Sequence, residues 1–489
     1  MDLDLTSITK AVRPQAVETL KELIRINSEG GDPVTAGTGE RFPYGQGVQD
    51  SFAYMLSKAE ELGFRTEDVD HVGGHVEFGE GDEILGILGH LDVVPAAGEW
   101  AYGPYDADEI DGYIYGRGTT DDKGPVVAVL YAMKALRDAG YEPDRRVRLI
   151  LGLDEETGKG GMRRYLEEAG APDFGFTPDG DFPVINGEKG RLEFELARKF
   201  AGGLPAAQNA GEFALRHLSG GMAPNIVPDR ARAVILHKDS KAYDEVRSLL
   251  AQYREDTGYR LRCKRVGKSL EIVAEGTACH GARPENGVNA IAVLMGFLGR
   301  LQFAGDDLQD FIEFYNEHVA FDPFGEKLGI GFCDEPSGKL SVNNGIIFYD
   351  RNSIRIRMDV RFPVTSSAEQ VYEAMQPLLD SQGIGVMRLK QDNPLFIPEE
   401  MPMIQTLLEV YRDHSGDMEA GPLVIGGGTY AKSTPNVVAF GALFPGDEDR
   451  MHQPNERIAI ERFYQLIDIY ADAIYRLTQK DFHYEEHES

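Results

Sequence analysis

RLILGLDEETG, residues 148–158, joins an apolar run to three consecutive acids. The run 149–153 predicts a buried strand, and Asp154, Glu155 and Glu156 follow at its carboxyl end. Open α/β sheets bind their ligands at the carboxyl ends of their strands. Taken alone, the segment fits a solvated acidic turn equally well, because loops are commonly polar. The rest of the sequence has to decide between a turn and a site.

Length and composition indicate a globular protein of two or three domains. The chain has 489 residues, of which 42% are hydrophobic, and a formal net charge of −31. This charge argues against nucleic acid or an anionic membrane surface as a partner. No apolar run approaches the roughly 20 residues of a membrane span. Three scattered cysteines and an N-terminus without a signal-peptide pattern predict a cytoplasmic protein.

Strand and helix patterns alternate in the first part of the chain. A helix is predicted over residues 14–27, because Pro14 suits a first helical turn. ILGILGHLDVV, residues 84–94, is typical of a central strand in a parallel sheet. The segment TTDDKG, residues 119–124, then precedes an amphipathic helix. Strand, helix and strand in this order imply crossover connections and a mainly parallel sheet.

The pattern changes near residue 190. From there, alternating strand-like segments lie among helices, as in an α+β domain. Beyond about residue 401 the α/β pattern returns and ends in a long amphipathic helix. The predicted fold class is α/β, with a mainly parallel or mixed sheet flanked by helices and an inserted α+β domain. We predict one discontinuous domain over residues 1–190 and 384–489, and an insert over 191–383.

Acids and histidines recur where predicted strands end. His90 and Asp92 are two residues apart on a strand, so they face the same side. A carboxylate commonly orients the ring of a metal-binding histidine, although a buried structural histidine is the alternative. The other candidates are acid pairs, a single aspartate and a histidine: Asp121 and Asp122, Glu155 and Glu156, Asp179, and His452.

These residues predict a two-metal site if the strand ends converge. So many acids at one sheet edge would repel one another strongly without cations. Histidine and carboxylate ligands together suit zinc, manganese or cobalt. For Asp121 and Asp122, capping of the following helix is the alternative interpretation. Asp154 is left without a role.

Nine motifs resemble the di-zinc aminoacylase/carboxypeptidase superfamily of metallopeptidases. They lie in the order of that superfamily between about residues 87 and 456, and they are most similar to its peptidase V and carnosinase-like dipeptidase branch. The motifs are GHLDVVP, YGRGTTDDKGP, LDEETG, PDGDFPVINGEKG, NIVPD, ACHGARPENGVNA, DVRFP, GGGTY and MHQPNE.

The resemblance implies two divalent metal ions. Zn²⁺ is expected, with Mn²⁺ or Co²⁺ as alternatives. His90 and Asp179 would hold one ion, and Glu156 and His452 the other. Asp121 would bridge the two ions.

The resemblance also implies roles for the residues around the metals. Glu155 would be the general base, which takes a proton from a metal-bridging water and passes it to the leaving amine. Asp92 would orient the ring of His90 without binding a metal ion itself. The peptide bond between Asp121 and Asp122 is expected to be cis.

Further residues are implied to bind the substrate. In the insert, His280 would help to bind the oxyanion, and Asn225 and Arg361 would grip the carboxylate of the substrate. Arginine suits a carboxylate through its bidentate fork. Arg361 is preferred over neighbouring arginines only because DVRFP matches the motif. The remaining candidates form one loop, for which a flexible turn is the alternative: Gly426, Gly427, Gly428 and Thr429.

The implied function is metal-dependent hydrolysis of dipeptides that have a free C-terminal carboxylate. Deacylation of N-acyl amino acids stays open as the alternative, because the same metal-site motifs serve both reactions. The insert is long for a lid of this superfamily, and the resemblance to the peptidase V branch implies a monomer in which this lid supplies His280 in cis and closes over the substrate.

Two other classes of function fit less well. GGGTYAKS, residues 426–433, approaches a phosphate-binding loop, but Ala431 replaces its second glycine. The loop also follows the acidic strand instead of preceding it. A protein that only binds a metal or an amino acid would not require Glu155 or His280.

Overall fold

The computed structural model of the protein describes residues 3–201 and 211–484. They form two compact units. The split unit contains the chain as far as Gly187 and again from Phe396 onwards. The inserted unit covers Glu188–Leu395. Each unit is built around a sheet of its own.

The inserted unit ends later than residue 383, where the sequence pattern placed the end of the insert. Strand Gly385–Asp392 pairs antiparallel with strand Gly190–Lys199 of the inserted unit. Most of its side chains are exposed because it lies at the edge of the sheet. Met387 and Leu389 alternate with Arg388 and Lys390, a short pattern typical of a strand, so the pairing and not the pattern assigns this strand to the inserted unit.

The sheet of the split unit is mixed and has a parallel centre. Strand Ile84–His90 runs parallel to both of its neighbours, Arg146–Gly152 and Phe174–Thr177. It is buried along its whole length, which explains its nearly unbroken apolar pattern. The order across the sheet is Leu395–Phe396, Ile185–Glu188, Val437–Ala439, Phe174–Thr177, Ile84–His90, Arg146–Gly152, Gly73–Phe78 and Arg65–Val69, and Leu423–Ile425 also pairs with Ile185–Glu188.

Helices pack against this sheet. Helix Lys123–Asp138 is almost wholly buried and contacts helices Leu5–Ile24 and Ile460–Leu477 as well as the central strands. The other helices of the split unit are Gln46–Glu61, Gly160–Ala169, Pro402–Ser415 and the short 3₁₀ helix Tyr430–Ser433. Two small sheets complete the unit, one of Val34–Thr35 and Arg41–Phe42 and one of Arg457–Ala459, Tyr113–Tyr115 and Glu109–Ile110.

The first helix begins earlier than the sequence pattern predicted. It spans Leu5–Ile24, and Pro14 lies inside it instead of opening it. The start is set by Asp4, whose carboxylate accepts a hydrogen bond from the backbone N–H of Ser7 at 3.2 Å. A side-chain cap of this kind satisfies an otherwise unpaired donor of the first turn.

The inserted unit is an antiparallel sheet with helices. Helix Ala290–Leu298 is almost entirely apolar and buried and contacts strands Arg230–Leu236 and Ser269–Glu275. The order across the sheet is Arg260–Val266, Ser269–Glu275, Arg230–Leu236, Ala214–Gly220, Ser341–Tyr349, Ser353–Phe362, Gly190–Lys199 and Gly385–Asp392. The remaining elements are Ala242–Thr257, Pro284–Asn286, Asp306–His318, Ala368–Gln382 and the pair Cys333–Asp334 and Gly338–Lys339.

The predicted fold class is confirmed. A mixed sheet with a parallel centre and flanking helices is interrupted by an α+β insert. Among the described residues, every helix is too short or too polar to cross a membrane.

Candidate metal centre

Neighbouring central strands of the split unit deliver four of the predicted site residues to one edge of the sheet. His90 is the last residue of the central strand. Asp179 follows the parallel strand on one side, and Glu155 and Glu156 follow the parallel strand on the other side. Parallel strands bring their carboxyl ends together, so this part of the site follows directly from the topology.

Asp121 and His452 come from loops outside this sheet. Asp121 lies two residues before helix Lys123–Asp138, and His452 lies in the loop before strand Arg457–Ala459. The sequence pattern had placed Asp121 at a strand end of the same sheet. The strand that precedes it, Tyr113–Tyr115, belongs to the small three-stranded sheet instead. A strand pattern shows that a strand exists but not which sheet it joins.

Five candidate ligands form two groups of three that share Asp121. Oδ1 of Asp121 lies 2.9 Å from Nε2 of His90, which lies 3.8 Å from Oδ2 of Asp179. Oδ2 of Asp121 lies 2.9 Å from Nε2 of His452, which lies 3.2 Å from Oε1 of Glu156. Within each group the ligand atoms lie within 4.8 Å of one another. Each oxygen of Asp121 therefore faces a different group, an arrangement that would allow this carboxylate to bridge two ions.

The charges of the centre favour cations. Hydrogen bonds from His452 to Asp121 and Glu156 raise the pKa of that histidine to about 11. Burial, together with the charge of Asp121, raises the pKa of the Asp179 carboxyl well above its usual range. Carboxylates that crowd together in this way take up protons unless a metal ion neutralises them. Oxygen and imidazole donors match the preferences of zinc and neighbouring divalent metals.

Asp92 contacts two different parts of this centre. Nδ1 of His90 lies 2.9 Å from the carbonyl oxygen of Asp92, which can only accept, so Nδ1 carries the proton and Nε2 is left for a metal. The Asp92 carboxylate accepts the backbone N–H groups of Glu155 and Glu156, each at 3.2 Å. Asp92 thus orients His90 and also holds the loop that carries the two glutamates.

Asp122 contributes to the frame of the centre. Its peptide bond with Asp121 is cis, as the resemblance implies. Its carboxylate is buried and accepts the backbone N–H of His90 at 3.0 Å. Its side chain makes no capping bond to helix Lys123–Asp138, the alternative role considered from the sequence.

Glu155 is not a member of either ligand group. Its carboxylate forms a salt bridge of 2.8 Å with Nζ of Lys159, four residues further along the chain and just before helix Gly160–Ala169. Lys159 also donates to the carbonyl oxygen of Gly428 at 2.9 Å. It therefore connects the loop that carries Glu155 with the glycine loop, a role that the sequence analysis missed. The spacing of four residues between the acid and the lysine was the available signal.

Asp154 has a structural role. Its Oδ2 accepts the backbone N–H of Gly161 at 2.7 Å, at the start of helix Gly160–Ala169. Its Oδ1 accepts the hydroxyl of the buried Tyr430 at 3.2 Å. The ring of Tyr430 covers Gly152 so closely that a Cβ there would lie 2.3 Å from it. The strand can end beneath this ring only because position 152 is glycine.

The glycine loop lies next to this tyrosine. Gly426, Gly427 and Gly428 follow strand Leu423–Ile425. The side chain of Thr429 accepts the backbone N–H of Ala431 at 3.1 Å and so caps the short helix that begins at Tyr430. The loop is therefore shaped by a cap, and its role in substrate binding stays a prediction.

The inserted unit brings its own three candidates together. Ile226 pairs with His280 in an isolated bridge, and Gly281 N–H donates to the Asn225 carbonyl oxygen at 2.7 Å, so the segments of Asn225 and His280 lie side by side. The pKa of His280 is lowered by loss of hydration and by the cationic Arg361.

Arg361 is anchored within its own strand. Its Nε donates to Oδ1 of Asp359 at 2.6 Å, and its Nη2 lies 3.3 Å from Oδ2 of the same residue. Arg361 is 5% exposed, and Asp359 is fully buried. Among the arginines of this strand, it is the most buried, and its role in substrate binding stays a prediction.

Comparison with known proteins identifies the family. The family model described as peptidase family M20/M25/M40 matches residues 86–476. The protein belongs to this family. It is 35% identical to a candidate dipeptidase of Staphylococcus haemolyticus over 95% of this chain and 97% of the relative. It is 34% identical to another from Staphylococcus epidermidis over 96% and 98%. The chain is thus a metallopeptidase related to dipeptidases.

Solved structures of low sequence identity share the fold of this M20 peptidase. Human carnosine dipeptidase 1 has a TM-score of 0.54 at 16% identity, with 97% of this chain and 98% of that chain covered. Aminoacylhistidine dipeptidase from Vibrio alginolyticus has a TM-score of 0.56 at 16% identity, with 96% and 97% covered. Both likenesses extend over nearly the whole chain, so the insert is part of the shared architecture.

Proposed function

We propose that this peptidase hydrolyses dipeptides with a free C-terminal carboxylate, with two divalent cations held by the two ligand groups. The observation that carries the proposal is the position of Asp121, which presents one oxygen to each group. His90 and Asp179 would complete one metal site, and Glu156 and His452 the other. When bound, the two cations supply a positive charge that polarises the scissile carbonyl and acidifies water. Zn²⁺ is the metal we expect, with Mn²⁺ and Co²⁺ as alternatives.

Glu155 is the residue that we assign to proton transfer. It lies next to a proposed ligand in sequence, and its side chain remains 12% exposed, so it is accessible to a small substrate. Its carboxylate accepts a proton from the attacking water and later donates it to the nitrogen of the leaving amine. Lys159 holds that carboxylate by a salt bridge of 2.8 Å.

Residues of the inserted unit are assigned to the substrate. Arg361 would bind the C-terminal carboxylate, since a guanidinium offers two parallel N–H donors. Asn225 would donate an additional hydrogen bond, and His280 would bind the developing oxyanion. In the split unit, backbone N–H groups of the loop that contains the three glycines would assist.

The test is a pair of substitutions at adjacent positions. We expect Glu155→Ala to retain two metal ions and to lower kcat for a dipeptide by about 10²–10⁴-fold, the range that general acid–base catalysis contributes. Glu156→Ala, the matched variant, should lose metal as well as turnover. Near-normal kcat in Glu155→Ala would contradict the assignment of the base. N-acetyl amino acids, assayed in parallel, distinguish deacylation from dipeptide hydrolysis.

The proposed enzyme is a monomer that provides His280 from its own insert. Light scattering should give a mass near the 54.0 kDa of one chain. A stable dimer at assay concentration would contradict this part of the proposal.

A further inference from the structure

Glu456 is a buried carboxylate that the assignment above does not use. It closes the motif MHQPNE, four residues after His452, and it is 0% exposed. A fully buried acid requires compensation by a cation or by several hydrogen bonds. Its partners therefore show what the position does.

The carboxylate of Glu456 holds the turn that leads into Asp121. Its Oε1 accepts the backbone N–H groups of Gly118 and Thr120, both at 3.0 Å, and that of Asp121 at 3.3 Å. Its Oε2 accepts a charge-assisted bond of 2.6 Å from Nη1 of the buried Arg117. One side chain thus fixes three amide groups of a single turn.

The same two segments are also joined by their backbones. Gly116 N–H donates to the carbonyl oxygen of Glu456 at 2.9 Å, and the hydroxyl of Thr120 donates to the carbonyl oxygen of Arg457 at 3.2 Å. Strand Arg457–Ala459 continues this contact by pairing with the strand that precedes Gly116. The loop that carries His452 and the turn that carries Asp121 therefore form one connected frame.

We propose that Glu456 is a positioning residue that sets the separation of Asp121 and His452, and so selectively supports the metal site formed by Asp121, Glu156 and His452. This inference rests on the proposed metal ligation. In the other group only Asp121 depends on this frame, because His90 and Asp179 are placed by central strands of the main sheet, whereas here both Asp121 and His452 depend on it. Loss of the Glu456 carboxylate should therefore weaken one of the two ions more than the other.

The test is Co²⁺ titration of the metal-free protein, followed by visible absorption and by competition with a chelator. Wild-type protein should bind two ions per chain. In Glu456→Gln one of the two Co²⁺ affinities should fall by about 10- to 100-fold, the usual effect of removing a residue that orients a metal ligand. The visible spectrum of the bound Co²⁺ should also change. The matched control is Glu77→Gln, which removes a carboxylate that is bonded to Arg148 at 2.8 Å in the same unit. It should leave both affinities unchanged.

Two results would overturn the inference. One is a Glu456→Gln protein that binds both ions as wild type does and loses only thermal stability. The other needs no substitution, so it applies even if that variant fails to fold. In metal-free wild-type protein the amides of Gly118, Thr120 and Asp121 should be protected from hydrogen exchange, and exchange at the rate of an unfolded chain would contradict the proposal. Wild-type protein that binds fewer than two ions would instead contradict the proposed function.

Discussion

Buried acids have different partners at the candidate metal centre of the split unit and in the sheet of the inserted unit. In the split unit, Asp121, Glu156 and Asp179 gather around two histidines, and the pKa of His452 rises to about 11 in response. In the inserted unit, each buried acid of the sheet has an arginine partner. Glu195 lies 2.8 Å from Arg357 and 3.2 Å from Arg355, while Asp359 contacts Arg191 and Arg361.

This difference shows which charges are structural and which await a ligand. Carboxylates that are already paired stabilise a sheet and need nothing further. Carboxylates that face one another and have only histidines as partners need positive charge, which protonated histidines or bound metal ions can supply. The contrast therefore distinguishes the acids around Asp121, which could hold metal ions, from acids that are already paired with arginine.

The largest effect is expected at the acid that both metal groups share. Asp121→Ala should lose metal and lower kcat/KM at least about a thousandfold, because metal ions supply several kcal/mol of transition-state stabilisation and each 1.4 kcal/mol is tenfold. The measurements are metal content and dipeptide hydrolysis. Asp138→Ala, on the surface of helix Lys123–Asp138, is the control and should behave as wild type. Retention of both ions by Asp121→Ala would contradict the bridge.

A smaller effect is expected at Asp359, the acid of the inserted unit that pairs with Arg361. Asp359→Asn removes the anion that anchors Arg361, so KM for a dipeptide should rise, by about tenfold for a loss near 1.4 kcal/mol. Metal content should not change, which separates this variant from Asp121→Ala. Asp350→Asn, which alters a more exposed acid near Arg355, is the control. If KM is unchanged and only stability falls, Arg361 does not bind substrate.

Lys159 provides a third test, because it is a cation beside the crowded acids. Lys159→Met should lower kcat about tenfold with little change in KM, since a charge-assisted hydrogen bond is worth roughly 1.5–3 kcal/mol and solvent screens part of it. Lys159→Arg should recover part of the loss. Lys134→Met removes a lysine that pairs with Asp138 at the same spacing and should have no effect on kcat. Equal kcat in Lys159→Met and Lys134→Met would show that Lys159 does not contribute to turnover.

An effect on stability instead of turnover is expected at a histidine of the split unit outside both metal groups. His75 is 3% exposed, and burial, assisted by Arg148, lowers its pKa to about 4. The unfolded chain, with a histidine pKa of about 6.5, binds the proton more readily, so stability falls as the pH drops from about 6.5 towards 4, by about 3 kcal/mol in all. In metal-free protein, the difference in melting temperature between pH 7 and pH 5 should shrink in His75→Phe. An unchanged difference would contradict this assignment.

The sequence was sufficient for those parts of the site that follow from strand order. His90, Asp179 and Glu156 lie at the ends of apolar segments, and parallel strands bring such ends together. Asp121 and His452 come from loops, and their place in the centre was implied only by the motifs TTDDKG and MHQPNE. Local sequence patterns do not show which part of the fold a loop packs against.

Residues whose role depends on distant partners escaped the sequence analysis. Arg117 and Glu456 are 339 positions apart in the chain yet lie 2.6 Å apart in space. Tyr430 and Asp154 are 276 positions apart, and their hydrogen bond explains an acid to which the sequence assigned no role. Hydrophobic periodicity predicts faces and strands but not such pairs. Strand Gly385–Asp392 is a related case, because its sequence does not show that it pairs with the distant strand Gly190–Lys199.

The central claim is that Asp121 bridges two metal ions in the split unit. The most direct measurement is anomalous diffraction from crystals soaked in Zn²⁺ or Mn²⁺. We expect two peaks about 3.5–4 Å apart, with an oxygen of Asp121 about 2.0–2.2 Å from each. One ion should contact His90 and Asp179, and the other Glu156 and His452. A single peak, or two peaks that do not share Asp121, would contradict the account.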